Sequence, residues 1–245
     1  MTTQATGHNK TGTDTGLLTA TTYPIFAPYK RTADDTDEPA FIGKPPRLMS
    51  IITTTLILTG STCWNAEERT LTFGHDWQRL AGRLKLINGG ATRDVLNNLL
   101  AAYCTEPFPT EDGDILIAED AALDPDITTS RRWIRFTPEY LDLVTEHEAK
   151  EIPLDAIPGP AIELDLLVLA ALYTPDDRRL VIPAAALGEL LPGGKWTIKT
   201  SRYLQAAKHL NSTQGKWVFA FESRSLIVTP AGIDPDRKGL VMRVY

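Results

Sequence analysis

The sequence predicts an α+β chain, helix-rich with short β-hairpins, built from two units of the same element order. Three observations predict it. Segments with apolar residues at helical spacing alternate with short runs of period two. The order helix, strand, helix, glycine turn, helix, hairpin occurs twice. Each copy carries a paired-glycine turn, at Gly89-Gly90 and Gly193-Gly194. This is the winged-helix order, and its recurrence in one chain is far less expected by chance than a single occurrence. The expected fold is therefore two tandem winged-helix domains with short β-wings, at 45–137 and 160–230. A flexible arm over 1–44, a linker helix with a proline-rich link over 138–159 and a tail over 231–245 complete the chain.

Length and composition agree with two domains. A chain of 245 residues with 42% hydrophobic content can bury two ordinary cores. Cys63 and Cys104 form no CxxC pair; they suit a reduced cytoplasm and imply neither disulfide framework nor metal. The Thr- and Gly-rich N-terminal stretch has no basic region leading into an apolar run, so it is not a secretory signal. No segment reaches the ~18 continuous apolar residues of a bilayer span. The longest candidate, Ile162–Tyr173, is too short and carries Glu163 and Asp165. A soluble cytoplasmic protein without membrane contact is expected.

In chain order, prolines at 24, 28, 39, 45 and 46 keep the entry to the first unit extended or turning. Arg47–Gly60 follows two prolines and ends at glycine; its apolar and β-branched content allows a buried helix or a strand, and helix is favoured. Arg69–Phe73 alternates as a strand, and HDWQRLAGRLKL after Gly74 places Trp77, Leu80 and Leu84 on one helical face. Thr92 can cap a second helix, Arg93–Tyr103. Asp114–Ala118 and Arg131–Phe136 are expected to pair as the first wing, and Pro138 to open a helix reaching about Lys150. In the second unit the elements are a buried helix at Ile162–Tyr173, a strand at Arg179–Ile182, a helix from Pro183 through Leu191, a helix from Thr197 to about Asn211, and a hairpin of Trp217–Phe221 with Ser225–Val228. All five tryptophans, Trp64, Trp77, Trp133, Trp196 and Trp217, are expected mainly in packing roles.

Charge divides the chain. From Glu106 to Asp165 sixteen acids face four bases, a local net of −12 that cannot lie along phosphates. Between Lys195 and Phe221, by contrast, stand Lys195, Lys199, Arg202, Lys208 and Lys216 with no acid, in a chain of net charge −6. An acidic protein that gathers cations on one helix and the adjoining turn is most simply read as binding a polyanion there.

The motifs KPPRL at Lys44–Leu48, TLTFG, HDWQRLAGRL, NGGATRDVLNNLLAAY, WIRFTPEYLDL, IPLDAI, AIELDLLVLAALY and SRYLQAAKHLN follow one another in an order that resembles RepA-like plasmid replication initiators. The resemblance covers Pro45 to about Pro230. It implies tandem winged helices, sequence-specific binding to repeated double-stranded sites at a replication origin, and recruitment of host initiator or helicase proteins; a second copy of the chain is a further candidate partner. Residue by residue, it carries over Arg79, Arg83 and Arg93 in the first unit and Lys199, Arg202 and Lys208 in the second as cations on DNA-facing helices. The acidic balance and acidic first wing depart from the family, which leaves the second unit as the expected reader. There Lys195, Lys199, Thr200, Arg202, Lys208 and Lys216 form the expected contact set, with Arg202 on bases and Lys199 and Lys216 on phosphates.

Enzymatic readings find little footing. No GxxxxGK[ST] loop is present, and His8, His75, His147 and His209 form no HExxH and pair with no cysteine. The carboxylates around Asp112, Asp114 and Glu119 sit in a loop-rich acidic segment without a lysine, the pattern of solvated surface rather than of a Mg²⁺ site. Neither catalysis nor a cofactor is expected. The alternative function is a winged-helix transcriptional regulator or adaptor, with one DNA-binding unit and an acidic unit that binds protein.

Overall fold

The computed structural model describes residues 17–20, 44–74, 90–110, 112–122, 132–153, 161–190 and 200–242. Among them are six helices and twelve strands, a mixed α+β structure. The expected helix at HDWQRLAGRLKL, Gly89 and the Gly193-Gly194 turn lie outside the described residues.

Helix α1 (Lys44–Leu58) resolves the helix-or-strand ambiguity of its sequence as helix. From Leu48 to Ile57 every side chain is buried, including Ser50 and the threonines 53 to 55. Threonine is tolerated there because it can bond back to its own helix: Thr53 Oγ1 donates to the Ser50 carbonyl at 3.0 Å and Thr55 Oγ1 to that of Ile51 at 2.7 Å. The helix stops in a Schellman turn, with the Gly60 N–H on the Ile57 carbonyl and the Ser61 N–H on that of Leu56. Gly60 has φ 60°, the left-handed conformation that glycine adopts without strain.

The first sheet has strand order β2-β3-β7-β6, all antiparallel, from β2 (Trp64–Asn65), β3 (Thr70–Gly74), β6 (Ala118–Ala121) and β7 (Arg132–Phe136). Helix α2 (Gly90–Thr105) comes between β3 and a separate ribbon of β4 (Phe108–Thr110) and β5 (Gly113–Ile115). The expected strand Asp114–Ala118 is thus divided. Its start pairs back on Phe108–Thr110 around Gly113, at φ 125°, and only its end joins β7. Alternation marks a strand but cannot choose its partner, and here the local hairpin takes the first residues.

Helix α3 (Pro138–Glu146) begins at Thr137, whose hydroxyl accepts from the Tyr140 N–H at 3.2 Å, with Pro138 in the first turn. It ends four residues before the expected Lys150. His147 turns extended, its Nδ1 bonding the Leu143 carbonyl at 2.8 Å, and Lys150–Pro153 becomes strand β8. The partner of β8 is β1 (Leu17–Ala20), inside the stretch expected to be a flexible arm, in the antiparallel register Leu17↔Pro153 to Ala20↔Lys150.

The second half runs α4 (Ala161–Tyr173), β9 (Leu180–Pro183), α5 (Ala184–Leu190), α6 (Thr200–Thr213), β10 (Trp217–Glu222), β11 (Ser225–Pro230) and β12 (Leu240–Val241). The β10-β11 hairpin presents β11 to β9, as β6-β7 presents β7 to β3, so both halves share one strand-pairing scheme. The expected tail departs from this scheme. Leu240–Val241 adds to the open side of β9 as a parallel strand, which requires Gly239, since a Cβ there would stand 2.8 Å from Arg179 Cγ and 3.1 Å from the Arg179 carbonyl oxygen.

The core is continuous across the two halves. The β1-β8 ribbon joins them, with β1 against α1, both strands against α4, and Ile152 fully buried. Ile152→Ala should therefore lower unfolding free energy by about 2–4 kcal/mol, read as a drop in urea midpoint of one shared transition. The exposed neighbour substitution Glu151→Ala should change it by less than about 0.5 kcal/mol.

Candidate nucleic-acid interface

Helix α6 owes its position to one apolar stripe and two anchored flanks. Tyr203, Ala206, Ala207 and Leu210, at spacings of three and four, are all buried. Toward the hairpin, Asn211 clamps the backbone of one residue on β10: its Oδ1 accepts from the Phe219 N–H at 2.8 Å and its Nδ2 donates to the Phe219 carbonyl at 2.9 Å. Tyr203 meets Phe221 edge to face at 5.6 Å. Toward α4, His209 Nδ1 lies 3.0 Å from Glu163 Oε1, with the Glu163 side chain only 6% exposed. His209 is thus a tether between helices rather than a ligand. The remaining face carries Leu204, Gln205, Lys208 and Ser212, all exposed, and the described helix holds no acid.

Because Tyr203 meets Phe221 while Gln214 bonds Trp217, α6 runs antiparallel to β10. Its N-terminal end, with Thr200 and Arg202, therefore lies toward the hairpin turn. That turn, Ser223-Arg224, has φ 47° and 63°, the two positive angles of a type I′ connection, here without glycine. The Arg224 carbonyl accepts from the Ala184 N–H at 2.9 Å, which pins the turn to the start of α5 and leaves an exposed arginine at the tip.

The expected contact residues are distributed unevenly over this arrangement. Arg202 and Lys208 are exposed on α6. Lys216 sits at the opposite end of the helix, its Nζ over the Trp217 ring at 4.7 Å and 3.2 Å from the Glu151 carbonyl of β8, which it ties to the hairpin base. Thr200 opens α6, and Arg93 lies in the first turn of α2. Arg79, Arg83, Lys195 and Lys199 lie outside the described residues. Gln205 and Arg224 were not in the expected set. Gln205 carries no charge, and a turn lacking Gly or Asn does not advertise a tip.

Of the tryptophans, Trp217 is buried, Trp64 is half-buried with its ring 6.1 Å from Phe136, and Trp133 is half-buried beneath the Arg135 guanidinium. Trp77 and Trp196 are outside the described residues. A second group of cations, Arg178, Arg237 and Lys238, lines an open cleft of about 560 Å³ beside β12. Its field is offset by Asp177 within it and by Asp176, Asp234 and Asp236 close by in sequence. Arg178, bonded at 3.0 Å, holds the Asp177 carboxyl below its ordinary range, so that acid stays ionised and cancels charge. Among the described residues no three His, Cys, Asp or Glu side chains group as metal ligands, and no helix is long and apolar enough to cross a membrane.

No protein-family model matches the chain, and no curated protein matches it.

The Asn211 clamp holds the hairpin against the helix, so Asn211→Ala should cost about 1–3 kcal/mol by orphaning the Phe219 donor and acceptor. Asn211→Asp keeps the acceptor but sets a carboxylate oxygen against the Phe219 carbonyl, and should also lower the melting temperature. An aspartate variant as stable as wild type would show that the clamp is not what seats the hairpin.

Proposed function

We propose that the chain is a sequence-specific DNA-binding protein of two winged-helix units that initiates plasmid replication, binding repeated origin sites and recruiting host replication proteins. The observation that carries the DNA reading is α6: anchored on its core side and both flanks, free of acid, and open along a face that carries Gln205, Lys208 and Ser212 with Leu204 beside them. A fixed helix of that kind suits a major groove, and the arginine-tipped turn toward its N-terminal end suits the adjoining backbone. The initiator role rests on the resemblance of the motif order to RepA-like proteins.

Exposed carboxylates favour a second reading for the first half. Asp112, Asp114 and Asp120 are exposed on the β4-β5 ribbon and β6, beside Glu119, which Arg69 pairs at 2.7 Å, and such a surface repels phosphate. It suits contact with a protein, as in a regulator or adaptor with one DNA-reading unit.

Salt titration of duplex binding separates these readings. Two engaged units should contact ~6 or more phosphates and give a correspondingly steep fall of log K with log salt, whereas one unit should give about half that slope. Arg202→Ala and Arg224→Ala should each weaken binding, with the slope falling by about one per lost phosphate contact. Lys216→Ala, which frees the Glu151 carbonyl, should lower stability and leave the slope unchanged. A duplex affinity insensitive to salt and to both arginine substitutions would refute DNA binding through α6.

A further inference from the structure

The open face of α6 has a composition of its own. Gln205, Lys208 and Ser212 follow one another at spacings of three and four, opposite the buried stripe, and Leu204, seven residues before Asn211, borders them on the hairpin side. Ser212 turns back, its hydroxyl donating to the His209 carbonyl at 2.7 Å, so the side chains left reaching outward are Leu204, Gln205 and Lys208. Arg202, seven residues before His209, borders the same face on its other side, along the flank that leans on α4. Leu204 is 48% exposed. A single exposed leucine is ordinary on a protein surface, but this one stands beside a free side-chain amide on the helix half nearer the hairpin tip.

We infer that this face reads an adenine–thymine step, with the Gln205 amide on adenine and Leu204 against the 5-methyl group of a thymine in the neighbouring pair. The inference rests on the DNA-binding reading above. Its chemistry is one of matching. A glutamine amide offers one acceptor and a donor pair, and the major-groove edge of adenine offers the N6 donor and N7 acceptor in the same arrangement. Guanine presents two acceptors there, so the glutamine oxygen would face an acceptor. Leucine has only apolar surface, and the thymine methyl is the apolar group on a major-groove edge. Lys208, one turn further along, reaches phosphate and contributes affinity without choosing a base.

The experiment selects duplexes from a randomised library with the full chain and repeats the selection with Gln205→Ala, Leu204→Ala and Arg202→Ala, each checked for an unchanged melting temperature. The wild-type site should contain an adenine preferred about tenfold over other bases, and Gln205→Ala should reduce that preference to about twofold or less. Replacing the neighbouring thymine by deoxyuridine, which removes only the methyl group, should weaken the wild type about fourfold, the worth of one buried methyl group. Leu204→Ala should respond to the same replacement by less than about twofold. If wild type enriches a site whose profile Gln205→Ala and Leu204→Ala leave intact while Arg202→Ala erases it, the inference is overturned and the DNA reading stands. A selected site without an adenine–thymine step overturns it equally. If no duplex is enriched, sequence-specific reading fails and this inference with it.

Discussion

The contact of the β1-β8 ribbon with both α1 and α4 is the constraint on which the rest of the structure depends. Each helix is apolar around most of its circumference, and neither can bury that surface against its own small sheet alone. The ribbon supplies the missing cover. Ile152, fully buried, contributes on the order of 1.5–3 kcal/mol by its own removal from water, and the hydrogen-bonded register with 17–20 brings a distant stretch of chain into the same core. The two halves therefore share one hydrophobic interior, and Lys216 extends the junction by bonding the Glu151 carbonyl from the base of the second hairpin.

A core assembled in this way has had to accommodate polar groups, and it does so by local bonding. Thr53 and Thr55, buried in α1, bond back along their own helix. The Tyr140 hydroxyl lies in the same interior; burial pushes its pKa up, and the hydroxyls of Thr53, Thr54 and Ser50 pull it part of the way back. In the second half the nearly inaccessible Glu163 carboxylate is met by His209 from α6. Removing the imidazole would leave a nearly inaccessible carboxylate oxygen without its hydrogen-bond partner, which is costly. The contact therefore fixes α6 against α4, as the Asn211 clamp fixes its other side.

Anchoring on three sides is what makes the fourth side of α6 informative. A helix free to shift would present no fixed pattern to a partner, whereas one held by its apolar stripe, an amide clamp and a histidine–carboxylate tether offers its open face in a set orientation. Charge is segregated along the same line. The exposed carboxylates of the β4-β5 ribbon and β6 lie in the first half, and the acid-free helix lies in the second. One surface repels a polyanion while the other can accept it, which is why the proposed DNA contact is centred on α6.

The sequence by itself determined which segments are helices and strands wherever the signal was local. The apolar run of α4, the Thr137-Pro138 start of α3, the alternation of β7, β10 and β11, and the buried stripe of α6 follow from periodicity and capping, which depend only on near neighbours. It also determined the charge division, because that is a matter of composition. Only the tertiary structure decided what pairs with what. Nothing local marks Leu17–Ala20 as the partner of Lys150–Pro153, or Leu240–Val241 as a parallel addition to β9, since the energy of those pairings lies in surfaces brought together from far along the chain. The same holds for the interface. The sequence placed cations in one segment, but it could not say that Lys216 would also bond a carbonyl of β8, or that uncharged Gln205 would stand in the open face, because both depend on which side of α6 the core claims.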